Sequence, residues 1–260
     1  MRQGRLKRLF RGLEDRLTEV FNKKGLLRDV YGLDEIYLML RGRNLGLVPF
    51  EVQWWKRLLQ EVKAGDTAVD VGAYLGICSI MLAKRVGESG KVVSFEPNPD
   101  ILSLVKKNLA LNGVSKRVEF FPNAIGRDNY PEFLVPNNEE SHIVPSAAIS
   151  RKGLLEVKVM TLDEIFRNRK ADILKIDVEG FEYDVLLGAK DLLSRKEGSP
   201  RFIYLELHPY AWKDYGADLE KIKTLLRESG YGVEIPELCD SCQLEEIDYN
   251  WVLLASKKGI

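Results

Sequence analysis

Cysteine is scarce in this chain of 260 residues, which carries only Cys78, Cys239 and Cys242. Cys78 falls inside an apolar run and reads as a small buried side chain. Cys239 and Cys242 form a lone C-x-x-C. A structural zinc takes four ligands, and no second cysteine pair is present to complete such a site. A surface disulfide, two free thiols and a zinc shared between subunits stay open, with a structural role favoured. Charge of either sign is not in excess: 39 Lys and Arg face 39 Asp and Glu, which argues against a dedicated nucleic-acid binder. Apolar runs long enough to cross a bilayer are missing. The basic N-terminus lacks the uninterrupted apolar stretch of a signal peptide, so a cytoplasmic location is expected. Internal repeats and low-complexity linkers are also absent. Length and composition then fit one α/β domain plus an attachment.

The most informative stretch present is Thr67-Ala68-Val69-Asp70-Val71-Gly72-Ala73-Tyr74-Leu75-Gly76, followed by the apolar run Ile77–Ala83. It reads as a short buried strand, a tight glycine turn and a helix. Gly72 permits a backbone conformation that a Cβ would penalise, and Gly76 is expected to let the helix start lie close to a ligand. Such ligands bind beyond the carboxyl ends of the strands in open α/β sheets. The dinucleotide fingerprint G-x-G-x-x-G is not met, because Tyr74 stands at its second glycine. A pyrophosphate needs that glycine to approach the backbone, so NAD and FAD are disfavoured. The order Asp-x-Gly-Ala-x-x-Gly instead resembles motif I of S-adenosylmethionine-dependent methyltransferases, where the turn lies against the amino-acid part of a phosphate-free ligand.

Ahead of this stretch, Leu6, Leu9, Phe10, Leu13, Leu17, Val20 and Phe21 recur at helical spacing among basic residues. The reading is a helical extension over residues 1–62, packed on its own domain or on a second subunit as a homodimer. An arm for an anionic partner and an interfacial membrane helix are the sharper alternatives. A second helix is expected from Phe50 to Val62, with Trp54 and Trp55 either walling a pocket or in the core. The domain proper then covers residues 63–260.

Lys91–Glu96 reads as a second buried strand ending in a carboxylate. Asn98 is expected to cap the next helix, and Pro99 suits its first turn. An acidic residue about twenty positions beyond the glycine turn can accept both hydroxyl protons of an adenosine ribose, each bond worth roughly 1.5–3 kcal/mol. Val118–Phe121 is a third strand, and Asn123 or the backbone near Ala124 is a candidate for the adenine edge. Residues 126–156 form an irregular insertion around Ser141 and His142, flanked by strands Pro131–Val135 and Leu155–Met160. Thr161-Leu162-Asp163-Glu164 is a capping box.

In Asp172–Gly180, strand periodicity puts Lys175, Asp177 and Glu179 on one face. The next strand, Phe202–His208, brings Glu206 and His208 to one side. If the strands are neighbours, these polar groups converge at their carboxyl ends. The bland alternative is a Lys175–Glu206 ion pair with the other groups solvated. Buried charge at the ligand edge is more often functional.

Asp70–Gly76, Phe95-Glu96-Pro97, Lys175-Ile-Asp-Val-Glu-Gly-Phe-Glu182 and Leu205-Glu-Leu-His208 together resemble the FkbM-type methyltransferase family, over roughly Ala64 to Tyr210. The resemblance implies a class I, Rossmann-like methyltransferase fold. That fold has a seven-stranded, mostly parallel sheet whose last strand is antiparallel. It implies S-adenosylmethionine as donor, S-adenosylhomocysteine as product, and a hydroxyl acceptor on a sugar, glycan or small molecule. Family motif I often has Asn where this chain has Tyr74. On this reading Gly72, Ala73 and Gly76 hold the methionine portion with Asp70 fixing the turn, Glu96 holds the ribose, and Val71, Tyr74, Pro97 and Asn98 also belong to the cofactor site. Asn123 and Ala124 lie at the adenine, and Asp177 borders both substrates. His208 is the expected base, with Asp177, Glu179, Glu206 and Lys175 around the acceptor. A divalent metal on these groups is conceivable but not favoured. An RNA methyltransferase using the basic N-terminal arm and a non-catalytic binding protein are the alternatives. Against the RNA reading, Asp177-Val178-Glu179-Gly180 replaces the Asn/Asp-Pro-Pro-aromatic turn usual in base-modifying enzymes.

Overall fold

This computed structural model describes residues 26–29, 35–38, 51–135, 142–144, 153–236 and 251–259. A short antiparallel hairpin, β1 (Leu26–Asp29) and β2 (Glu35–Leu38), precedes α1 (Glu51–Glu61). Then β3 (Thr67–Val71), α2 (Ile77–Val86), β4 (Lys91–Phe95), α3 (Leu102–Leu111) and β5 (Val118–Phe121) alternate. The insertion follows as β6 (Ala124–Ile125), β7 (Pro131–Val135), β8 (His142–Val144) and β9 (Leu155–Met160). The chain returns through α4 (Leu162–Ile165) to β10 (Ile173–Ile176), α5 (Glu182–Leu187), α6 (Lys190–Ser194) and β11 (Phe202–Leu207). A 3-10 segment, Pro209–Tyr215, leads to α7 (Leu219–Glu228), β12 (Tyr231–Glu234) and β13 (Trp251–Lys257).

The main sheet has seven strands in the order β12-β13-β11-β10-β3-β4-β5. β13, the last in sequence, runs antiparallel to both of its neighbours, and the other pairings are parallel. This is the expected sheet. The order of connection reverses between β3 and β10, which opens a crevice above their carboxyl ends. Strand alternation divides the core in two. Val69, Val71, Leu174 and Ile176 pack with Phe166, Val185, Leu192 and Ile222 on one face. Ala68, Ile173 and Tyr204 pack with Trp55, Leu58, Ile80 and Val105 on the other. Trp55 and Cys78 are thus core residues.

The insertion is a second sheet of order β6-β9-β7-β8 with its own small core of Ala124, Leu134, Ile143, Val157, Val159 and Phe181. Its tether to α4 completes the capping box in an unforeseen way. Thr161 Oγ1 accepts from Glu164 N at 3.1 Å as expected. Asn129, far upstream, supplies the other half, accepting from Thr161 N at 3.0 Å and donating to Glu164 Oε2 at 2.6 Å.

Two local expectations need correction. The N-terminal extension is not helical throughout its described part, because β1 and β2 form a hairpin whose four-residue strands are too short to show in a helical pattern. Asn112 binds that hairpin as a neighbouring strand would, accepting from Tyr37 N at 2.9 Å and donating to Tyr37 O at 2.6 Å. Asn98 does not cap α3, which starts only at Leu102; its Oδ1 accepts from Asp100 N at 3.0 Å and closes a local turn. Residues 1–25 with their amphipathic pattern and any dimerisation through it, Ser141, Cys239 and Cys242 lie outside the described residues. Among the described residues, no helix is long and apolar enough to cross a membrane.

Candidate functional site

Gly72 ends β3 with φ +84°, and a Cβ there would lie 1.7 Å from the Asp177 carbonyl oxygen. Only glycine therefore lets the tips of β3 and β10 meet. The turn spends its own donors. Gly72 N and Ala73 N donate to Phe95 O at 3.1 and 2.9 Å, Tyr74 N to Glu96 Oε2 at 2.9 Å, and Gly76 N to Ala73 O at 2.8 Å. An anion-binding nest needs N–H groups that point outward. These do not, so the turn is built for a ligand without phosphate at this point.

Tyr74 sits at φ +47°, in the left-handed region that costs most side chains energy but suits Asn. That accounts for the Asn that the family resemblance leads one to expect there. Gly76 has φ +81°, and a Cβ there would meet Val105 Cγ1 at 3.3 Å. The structural need for this glycine is therefore the seating of α2 against α3.

Glu96 lies at the tip of β4 and is buried. Oε2 is held by Tyr74 N and Oε1 by Asn98 N at 2.8 Å. A carboxylate oxygen has two lone pairs, so each oxygen retains one for a ribose hydroxyl. Burial pushes its pKa up to about 7, against the opposing pull of the two N–H groups and of Lys175. Pro97 is half-buried beside it. Glu96 N donates to Phe121 O at 3.2 Å, so the segment leading to Asn123 runs alongside. The Asn123 amide, however, donates to Lys158 O at 3.4 Å, and Ala124 is buried in the small sheet. The Ala124 side chain is thus taken up by the insertion, while Asn123 is anchored to it by one bond and keeps its Oδ1 for the expected adenine contact. The outward lone pairs of Glu96 and the spent turn fit S-adenosylmethionine.

Lys175 joins this half of the site to the other. It pairs in register with Asp70 across β10 and β3. Its Nζ stands 3.2 Å from Asp70 Oδ1 and 3.2 Å from Asp177 Oδ2, and it donates to Gly72 O at 2.8 Å. Glu206 is not its partner, so the bland alternative of a Lys175–Glu206 pair is set aside. Burial opposes the charge on Lys175, but the two aspartates outweigh it and raise its pKa. Asp70 is fully buried; its Oδ2 accepts from Ser79 Oγ at 2.5 Å, and Ser79 bonds Ser94 Oγ at 2.8 Å. Asp70 and Val71 therefore shape the turn from within, Val71 O accepting from Asp177 N at 3.0 Å.

Beyond β10 and β11 the carboxylates gather around His208, which is wholly buried. Its Nδ1 donates to Glu182 Oε1 at 2.7 Å. Its Nε2 has no hydrogen-bond partner and faces Glu179 Oε2 at 3.6 Å, Glu206 Oε1 at 3.8 Å and Asp177 Oδ1 at 3.9 Å. Burial opposes a charged ring, but the Glu182 hydrogen bond and the charges of Glu182, Glu179 and Glu206 outweigh it and push the pKa up to about 10. These neighbours favour the charged ring over the free imidazole base expected there. Glu179 has φ +51°, and its Oε2 accepts from Tyr210 Oη. Glu182, to which sequence reasoning gave no role, is fully buried and accepts from Gly180 N at 2.7 Å and Trp212 Nε1 at 2.8 Å. An acid in the first turn of a helix reads as a dipole partner, which hid it; its place in the Lys175–Glu182 motif was the available signal.

The methyltransferase FkbM domain matches residues 70–233. The hexuronic acid methyltransferase AglP of Haloferax volcanii is 25% identical, with 70% of this chain and 70% of that protein aligned. Among solved structures, a candidate rRNA methylase from Clostridium thermocellum superposes with a TM-score of 0.53 at 13% identity, covering 81% of this chain and 97% of that one. A candidate methyltransferase from Streptococcus mutans in complex with SAH superposes with a TM-score of 0.50 at 12% identity, covering 81% and 98%. These two likenesses speak for the fold, and the domain match, which spans most of the sheet and every strand tip described above, for the family. The chain belongs to the FkbM methyltransferase family and is an S-adenosylmethionine-dependent methyltransferase.

Proposed function

We propose that this enzyme methylates a hydroxyl oxygen on a sugar, glycan or other small molecule, at the carboxylate-lined end of β10 and β11. The observation that carries this reading is the ring of Asp177, Glu179, Glu206 and Glu182 around His208. A hydroxyl must lose a proton to become a nucleophile, whereas an acceptor carboxylate needs no base and would meet like charge here. AglP, named for a hexuronic acid, supports a sugar acceptor.

S-Adenosylmethionine, when bound, supplies an electrophilic methyl group on a good leaving group. Glu96 receives the ribose hydroxyls, and the Gly72-Ala73-Tyr74 turn lies beside the amino-acid portion. Lys175 ties that turn to Asp177, which fixes the donor half against the acceptor half. Within the cluster, Asp177 and Glu179 are the carboxylates that reach solvent, with side chains 27% and 20% exposed, whereas His208 is 0% exposed. Asp177 orients the acceptor hydroxyl, and Glu179 takes its proton. Holding these groups in line removes most of the entropic cost of the encounter. The donor-binding unit is residues 63–260, with the β1–β2 hairpin held to it by the Asn112 clasp.

The test uses donor labelled in its methyl group with panels of neutral and uronic-acid oligosaccharides. A methyl ether survives mild alkali and a methyl ester does not. Label that is stable to alkali is expected. Label released as methanol would replace the hydroxyl reading with carboxyl methylation.

A further inference from the structure

We propose that Asp177, Glu206 and His208 form a divalent-cation site that holds and acidifies the acceptor hydroxyl, an inference that rests on the hydroxyl reading above. One ligand atom from each of these residues lies within 4.8 Å of the others. An acidic cluster alone would not justify a site. The independent observation is His208, a fully buried ring whose Nε2 is aimed into the cluster without a hydrogen-bond partner.

Distances favour a cation over direct contacts. Separations of 3.6 to 3.9 Å from Nε2 to Glu179, Glu206 and Asp177 are too long for hydrogen bonds. Two ligands about 2.1 Å from one ion stand between about 3 and 4.2 Å apart, depending on the angle they subtend. The spacings from Nε2 to Glu206 and Asp177 fall inside that interval. Glu182 supplies the outer support that metal-binding histidines ordinarily have. It grips Nδ1 at 2.7 Å and is itself fixed by Gly180 N and Trp212 Nε1, which aims the opposite ring nitrogen into the cluster. Two carboxylates and one imidazole, with no thiolate, suit a borderline ion such as Mn²⁺ better than Mg²⁺, which takes oxygen ligands. Binding displaces the Nε2 proton to solvent. The acceptor O–H then breaks with its proton passing to Glu179. The oxygen lone pair forms the new C–O bond, and the C–S pair returns to sulfur, giving S-adenosylhomocysteine.

The experiment uses the full chain after dialysis against chelator. Mn²⁺ is titrated in, and free Mn²⁺ is followed by electron paramagnetic resonance. One ion bound per chain is expected, with Glu206→Gln and Asp177→Asn each weakening it at least tenfold. Calorimetry with S-adenosylhomocysteine verifies that each variant is folded. Chelator should lower methyl transfer at least a hundredfold without changing S-adenosylhomocysteine affinity, and added Mn²⁺ should restore it. No stoichiometric Mn²⁺ binding by the wild type, binding unaffected by both variants, or full activity in chelator would overturn the cation site. Mn²⁺ bound as expected with no transfer to any hydroxyl acceptor would instead sink the hydroxyl reading and leave the site standing.

Discussion

Lys175 and Asp70 face each other across adjacent parallel strands, with Nζ 3.2 Å from Oδ1 and both side chains almost wholly removed from water. Removing one member of such a pair strands the other. Lys175→Met should cost about 3–5 kcal/mol in urea unfolding. Asp70→Asn added to it should recover part of that loss. Additive losses in the double variant would show that the two charges are not coupled.

Gly72→Ala places a methyl group 1.7 Å from the Asp177 carbonyl and imposes φ +84° on an L side chain. S-Adenosylhomocysteine affinity should fall at least about a hundredfold, since the strand tips cannot close. Gly113→Ala serves as the comparison: φ is +67° but nothing lies within 4 Å. It should cost only about 1 kcal/mol and leave affinity intact. Calorimetric titration of both variants checks this.

Glu96 gives a pH signature. Its native pKa of about 7 lies above the ordinary 4.5 because burial penalises the charge. A raised native pKa favours folding below the ordinary value, and that stability drains away as pH rises to about 7. The loss should approach about 3 kcal/mol, and Glu96→Gln should abolish it. Donor binding should run the other way. Ribose hydroxyls donate best to the ionised form, so S-adenosylhomocysteine affinity should climb through pH 7. The charges facing Glu96 are Lys175 and Asp70, and neither reverses the sign. An affinity that is flat with pH would remove Glu96 from the ribose.

Glu182→Gln should act through His208. Its carboxylate aims the ring by the 2.7 Å bond at Nδ1 without touching substrate. We expect kcat to fall about 10- to 100-fold with acceptor KM and S-adenosylhomocysteine affinity unchanged. A purely structural role would shift KM and donor affinity along with kcat.

Glu179→Gln removes the carboxylate assigned to the acceptor proton while keeping its shape. Turnover should drop about 100-fold or more, with donor affinity preserved. Steady-state rates beside calorimetry decide, and a variant with full turnover would take the proton-accepting role away from Glu179.

Much of this was legible in the residues. β3, β4, β10 and β11 announce themselves because each is a compact apolar run bounded by turn residues, and Glu96 follows from its place at a strand tip. Neighbour identity was not legible. β10 lies between β11 and β3, so Lys175 could have turned to Glu206 on one side or Asp70 on the other, and only the 3.2 Å side-chain contact decides for Asp70. Gly76 was ambiguous for a related reason, since a glycine announces close approach without saying to what; the structure puts Val105 beside it. The β1–β2 hairpin was missed because four-residue strands carry too little period to compete with a neighbouring helical pattern.

The turn after β10 serves two neighbourhoods at once. Asp177 and Glu179 look toward His208, while Val178 and Phe181 pack into the core of the small sheet with Leu134 and Val157. Repacking that little core, even by a methyl group, therefore reorients the acid groups by way of a single stretch of main chain. Acceptor choice can drift in this family of shapes through greasy residues that never meet the acceptor.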